Sequence, residues 1–174
     1  MKGKRFAHAT PYPSYGVLLD SELQPNVRMN MSTQSPLIRP LTKDEIETFP
    51  TEVIVKMPEP FKDERGAIQP LVDENMSSAV LISSKKGSVR ANHWHETDWH
   101  YCYVIEGKIK YSHRTKGTTE PPKVTIINKG ELFFTPPLVE HAMEFEEDTI
   151  FLTLGRNSRL QEVYEADVKR VKLV

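Results

Sequence analysis

The chain has a single cysteine, Cys102, in 174 residues. No internal disulfide can brace it, and a lone thiol suits a reducing compartment. It also has almost no net charge: 23 Lys and Arg against 24 Asp and Glu leave −1 at neutral pH with histidine neutral. That balance supplies no global field for nucleic acid or an anionic membrane, and neither is expected as a partner. No apolar run approaches the roughly 18 residues needed to cross a bilayer. The polar start, MKGKRFAHAT, lacks the apolar core of a secretory signal. The expectation is therefore a soluble, cytoplasmic protein. Nothing matches a phosphate-cradling glycine loop, a Ser/His/Asp set or a nucleic-acid module.

What is there fits one globular domain. A length of 174 residues supports one core and is short for two, and 38% hydrophobic with 27% charged residues is ordinary for such a domain. Residues 1–50 form an irregular arm punctuated by Pro11, Pro13, Pro25, Pro36, Pro40 and Pro50, which disfavour long elements. The arm packs against the domain or a partner subunit, or is a disordered tail. One short helix is predicted at Thr42–Phe49, where Thr42 and Glu45 have capping-box spacing. Residues 51–174 switch to about ten short strand-like segments, among them Val89–His95, Tyr101–Glu106 and Ala142–Phe145. Turn residues such as Glu106-Gly107 and Asn128-Lys129-Gly130 separate many of them, the grammar of an all-β sandwich or barrel. Gln161–Val168 reads equally as a helical turn or an edge strand.

The informative feature is histidine. Between Gly87 and Gly107 the chain reads G-SVRAN-HWH-ETDW-H-YCYVIE-G. In a strand, residues i and i+2 share a face, so His93 and His95 look the same way while Trp94 packs outward. His100 arrives from the start of the next strand, and His141 sits downstream in G-ELFFT-PPLVE-H. Imidazoles converging on a rigid sheet suit a divalent transition metal, and His93, His95, His100 and His141 are the candidate ligands. Four neutral ligands would leave the ion its full charge; Zn, Fe, Mn and Ni are all compatible. His8, in the polar arm, and His113, before a turn, carry no such signal. A tyrosine facing the cavity would serve as a general acid, and Tyr103 and Tyr111 are the candidates. Cys102 points away from Tyr101 and Tyr103 and reads as core packing.

The first histidine segment resembles motif one of the cupins, G-x(5)-H-x-H-x(3,4)-E-x(6)-G, with His100 in place of the glutamate. The second resembles motif two, G-x(5)-P-x-G-x(2)-H-x(3)-N, through Gly130, Pro136 and His141, with Leu138 for the glycine and Phe145 for the asparagine. The resemblance implies an all-β cupin double-stranded β-helix (jelly-roll) barrel, and a homodimer. A narrower likeness, carried by DERGAIQPL, ISSKKGSVRANHWH and VYEADVKRV, is to the nucleotide-sugar cupins, the 3,5-epimerases and 3,4-ketoisomerases. Those enzymes abstract a proton next to a ketone with a histidine base and no metal. Carried over, His93 or His95 would be the base, and Arg65 and Arg90 would bind substrate. Ala91 stands where their R-G-x-H signature has glycine. The expected function is thus a metal-binding cupin acting by proton transfer on a small carbonyl-bearing substrate such as a sugar or sugar nucleotide. A mononuclear iron or nickel dioxygenase and a non-catalytic small-ligand-binding cupin are the alternatives.

Overall fold

A computed structural model describes residues 38–174, so the first 37 residues of the arm, His8 among them, lie outside the described residues. The first element is the predicted helix, α1 (Lys43–Glu47). Thr42 Oγ1 accepts from the Glu45 amide at 3.2 Å while the Glu45 carboxylate accepts from the Thr42 amide at 2.9 Å. This reciprocal cap satisfies two amides that a short helix would otherwise leave bare.

Twelve strands follow: β1 (Ile54–Val55), β2 (Phe61–Asp63), β3 (Gly66–Ile68), β4 (Ser78–Ser84), β5 (Val89–His95), β6 (His100–Glu106), β7 (Lys108–Thr115), β8 (Lys123–Asn128), β9 (Leu132–Thr135), β10 (Val139–Phe145), β11 (Thr149–Gly155) and β12 (Val168–Arg170). They build two five-stranded antiparallel sheets, ordered β1-β9-β6-β11-β4 and β12-β5-β10-β7-β8, plus a separate β2-β3 hairpin. This is the all-β jelly roll that the sequence predicts. The segment left open in the sequence divides: Gln161–Asp167 is a helix, α2, and the next three residues pair with β5 as its edge strand.

Alternation puts one face of each sheet inward. Phe133, Cys102, Val104 and Phe151 from the first sheet meet Ile109, Tyr111, Ile127, Met143 and Phe145 from the second in one buried cluster. The described part of the arm packs on the outside. Phe49 lies 5.7 Å from the Trp99 ring and 5.3 Å from the Phe134 ring. Arg156, its side chain fully buried, donates to both carboxylate oxygens of Glu45 at 2.6 and 3.0 Å and to the carbonyls of Arg39 and Pro40. A buried guanidinium needs such a set, and Glu45 supplies its counter-charge. The same hydrogen bond from Arg156 brings the Glu45 carboxyl down to about 2.

Candidate metal centre

Local backbone distortion aims the first histidine. Ala91 and Asn92 are both left-handed, at φ 66° and 56°. Across from them His141 pairs with His93 and Ala142 with Ala91, so Asn92 is an extra residue bulged out of β5. A bulge re-aims the side chains beyond it. Asparagine tolerates this conformation far better than alanine does. Asn92 also uses its position: its Oδ1 accepts from the amides of Leu173 and Val174 at 2.9 and 3.1 Å. Leu138 is left-handed too, at φ 60°. The tight turn before His141 therefore survives without the motif's glycine, closed by the Leu138 amide donating to the His95 carbonyl at 2.8 Å.

His93, His95 and His141 converge. One ring nitrogen from each lies within 4.8 Å of the others. The His93 ring centroid is 4.7 Å from His95 and 4.8 Å from His141. His95 places Nδ1 2.9 Å from Asp167 Oδ2, and His141 places Nδ1 3.0 Å from the Val139 carbonyl. Each acceptor fixes the tautomer with the proton on Nδ1 and leaves the Nε2 lone pair free. Burial, reinforced by the neighbouring histidines, drives His93 down to about 2. Burial likewise takes His141 down to about 3. His95 is also lowered by burial, although Asp167 opposes the shift. All three imidazoles are neutral at physiological pH, the state a metal ligand needs.

His100 stands beside this trio rather than in it. Its ring is 5.0 Å from that of His95, but its Nδ1 lies 3.1 Å from Thr135 Oγ1 and its Nε2 3.0 Å from Asp98 Oδ2. Behind the histidines two buried carboxylates are tied into the backbone. Asp167 accepts from the Thr97 amide and hydroxyl and the Asp98 amide; Asp98 accepts from the amides of Trp99 and Asn157. Burial alone would raise both carboxyls. Contact with His100 brings Asp98 down to about 2, and hydrogen bonds from His95 and Thr97 hold Asp167 below its usual value.

The trio and His100 line a cavity of about 150 Å³ between the sheets, together with Arg90, Arg159, Tyr164, Cys102 and Thr135. Arg90 lies in the cavity wall, its Nε donating to Ser84 Oγ at 2.7 Å. Arg65 is not in the cavity wall: it sits on the exposed β2–β3 hairpin, paired with Asp63. Neither expected tyrosine lines the cavity either. Tyr103 falls on the outer face of β6, alternating with buried Cys102 and Val104. Tyr111 is core, its ring stacked on His113 at 5.2 Å, and complete burial raises its hydroxyl far above an ordinary phenol. Cys102 is buried as expected, and burial pushes its thiol up to about 12. The tyrosine that does reach the cavity is Tyr164 on α2, with ring centroid 5.8 Å from His95 and 6.3 Å from His93. Tyr164, Arg159 and Asp167 lie some seventy residues beyond the first histidines; Tyr164 and Asp167 fall inside VYEADVKRV, one of the stretches that carry the narrower likeness, but nothing there singles either out. Asp98 was closer to hand, inside the spacer between His95 and His100.

A model of the cupin domain matches residues 80–154. No curated protein matches the chain. Its fold is similar to that of a sugar 3,4-ketoisomerase from Thermoanaerobacterium thermosaccharolyticum solved in complex with TDP, at 19% identity and a TM-score of 0.55, covering 67% of this chain and 85% of that one. It is also similar to a dTDP-4-dehydrorhamnose 3,5-epimerase from Sulfolobus tokodaii, at 17% identity and 0.53, over 66% of this chain and 73% of that one. A third likeness is to a mutant 3'-monoepimerase from Streptomyces bikiniensis in complex with dTDP, at 12% identity and 0.54, over 67% of each chain. At these identities the likeness is one of fold.

Proposed function

We propose that this chain, whose residues 80–154 form a cupin domain, is a metal-binding enzyme that moves a proton next to the carbonyl of a small substrate, in the manner of an isomerase or epimerase. The observation that carries this reading is the trio His93, His95 and His141, with ring nitrogens within 4.8 Å of one another at one end of a cavity. The donor set fits a divalent transition ion: the imidazoles are neutral, and two of them have their second nitrogen pinned by a carboxylate or carbonyl. Two buried carboxylates, Asp98 and Asp167, lie directly behind the rings and favour positive charge in front of them. When bound, the ion would supply Lewis acidity toward a carbonyl oxygen.

The remaining work falls to this chain's own side chains. The cavity is partly open to solvent, and its size fits the reacting part of a small molecule rather than a whole nucleotide. Tyr164, facing His93 and His95, would hold or receive a proton at its hydroxyl oxygen. Arg90 sits in the same wall as a donor to substrate oxygens. A second reading is favoured by one contact, His95 Nδ1 to Asp167 Oδ2 at 2.9 Å. With no metal present, Asp167 would orient His95 as the base, as in metal-free enolisation.

The test is to incubate the purified protein in deuterium oxide with TDP-4-keto-6-deoxyglucose, the ligand seen in one structure of similar fold. Deuterium appearing at a carbon next to the ketone supports proton transfer, and dependence of its rate on added metal separates the two readings. Oxygen uptake without exchange would point instead to a dioxygenase, and tight binding without either to a carrier.

A further inference from the structure

Seven arginines lie among the described residues, and six have an evident partner. Arg39 and Arg156 pair with Glu45, Arg65 with Asp63, Arg114 with Glu140 and Arg170 with Glu165; Arg90 is held by Ser83 and Ser84. Arg159 is the exception. It makes no ion pair and no hydrogen bond among the described residues; its guanidinium instead lies over the Tyr164 ring, 4.4 Å from the centroid. Stacking of this kind fixes the plane of the group and leaves its five N–H donors open to solvent, the residue being exposed.

Where those donors sit gives them meaning. Arg159 and Tyr164 line the same cavity as the four histidines His93, His95, His100 and His141. No aspartate or glutamate lines that cavity, whereas two arginines do. Asp98 and Asp167 stand behind the histidines and are already occupied by backbone amides, Thr97 and the imidazoles. Two arginines thus face the cavity directly while the carboxylates stand behind the imidazoles, and the planar fork of Arg159, exposed to solvent and without a partner among the described residues, lies two ring contacts from His93.

We propose that Arg159 is the residue that selects the substrate, by gripping a planar or tetrahedral anionic group, a carboxylate or a phosphate, close to the reacting carbonyl. This deepens the reading of the cavity as a carbonyl-handling site and rests on it only for the word substrate. Two parallel N–H···O bonds set orientation as well as affinity. Tyr164 is the shelf that presents the fork. The roughly benzene-sized interior places the anion and the carbonyl on one small molecule, or on adjacent parts of one.

The test uses the full-length protein after chelator treatment, so that a chain holding no metal still answers. The probes are inorganic phosphate and sodium acetate, and the readout is the Nε–Hε resonance of Arg159 in 15N-labelled protein, assigned by its loss in Arg159→Gln. Saturable movement of that resonance is expected with at least one probe, while the ion-paired Arg65 and Arg170 stay still. Binding reported by the neighbouring histidine resonances should weaken at least about ten-fold in Arg159→Gln. Arg159→Lys keeps the charge but loses the fork and should fall between the two, which guards against a Gln variant that fails to fold. A stronger response to phosphate assigns a phosphorylated substrate, and a stronger response to acetate a carboxylate. A resonance that moves with neither probe, or histidine shifts unchanged in both variants, overturns the proposal, whatever the metal content proves to be.

Discussion

The two ends of the space between the sheets differ in chemistry although the same strands build both. Along β10 the inward positions run His141, Met143, Phe145; along β6 they run His100, Cys102, Val104. Each series passes from imidazole through sulfur to hydrocarbon in five residues of strand. At the hydrocarbon end nothing needs a partner, and Ile109, Ile127, Phe145 and Phe151 simply exclude water. At the histidine end every ring but that of His93 has a nitrogen committed to a carboxylate, a hydroxyl or a carbonyl, and α2 and β12 are recruited to supply one of them. The lesson is that the apolar half stabilises the scaffold and the polar half consumes some of that stability to keep neutral donors aimed into a cavity.

That contrast can be broken first at its apolar end. Phe145→Ala should cost about 3–5 kcal/mol through lost burial and the cavity left behind, read as a lower denaturant midpoint at every pH. The histidine end should instead show its strain in acid. The unfolded chain takes up a proton on His141 near 6.5, but burial delays this in the fold to about 3. Stability of the metal-free protein should therefore be full above about pH 6.5 and decline as pH falls toward 3. His141→Gln should flatten that decline; equal acid sensitivity in both proteins would contradict the burial argument. Next comes the support of the ring. Asp167→Asn keeps the shape but weakens the hold on His95, and metal affinity should drop about 10- to 100-fold with the fold intact by circular dichroism. The smallest effect is a gain: Leu138→Gly removes a left-handed leucine and should add roughly 1 kcal/mol to stability. A loss there would show that the Leu138 side chain, not only its backbone, matters.

Much of this was legible in the chain. Each of the expected strand segments from Val53 onward overlaps a strand, although Ala67–Val72 does so only over Ala67–Ile68 and β2 was not expected, and β5 begins and ends where alternation places it. The capping box at Thr42 and Glu45 fixes α1 because both of its bonds are local. The histidines were legible because a strand's period is two and glycine turns bound the segment. The limits lie where contacts are long-range or faces are ambiguous. Tyr103 and Tyr111 have the chemistry of a general acid, yet one points outward and the other sits in the core. Tyr164, Arg159 and Asp167 enter the site only because α2 and β12 fold back onto β5, a closure that no local pattern announces. His100 occupies the family's glutamate position but turns to Asp98 and Thr135, a choice set by partners rather than spacing.

The central claim is that His93, His95 and His141 hold a divalent ion, and metal content tests it most directly. Elemental analysis of untagged protein purified without chelator, beside His95→Ala and His141→Ala, should find close to one equivalent of Zn, Fe, Mn or Ni in the parent and almost none in the variants. A parent that carries no metal and refuses added metal, or variants that keep full occupancy, would contradict the account and leave the His95–Asp167 pair as the site's working unit.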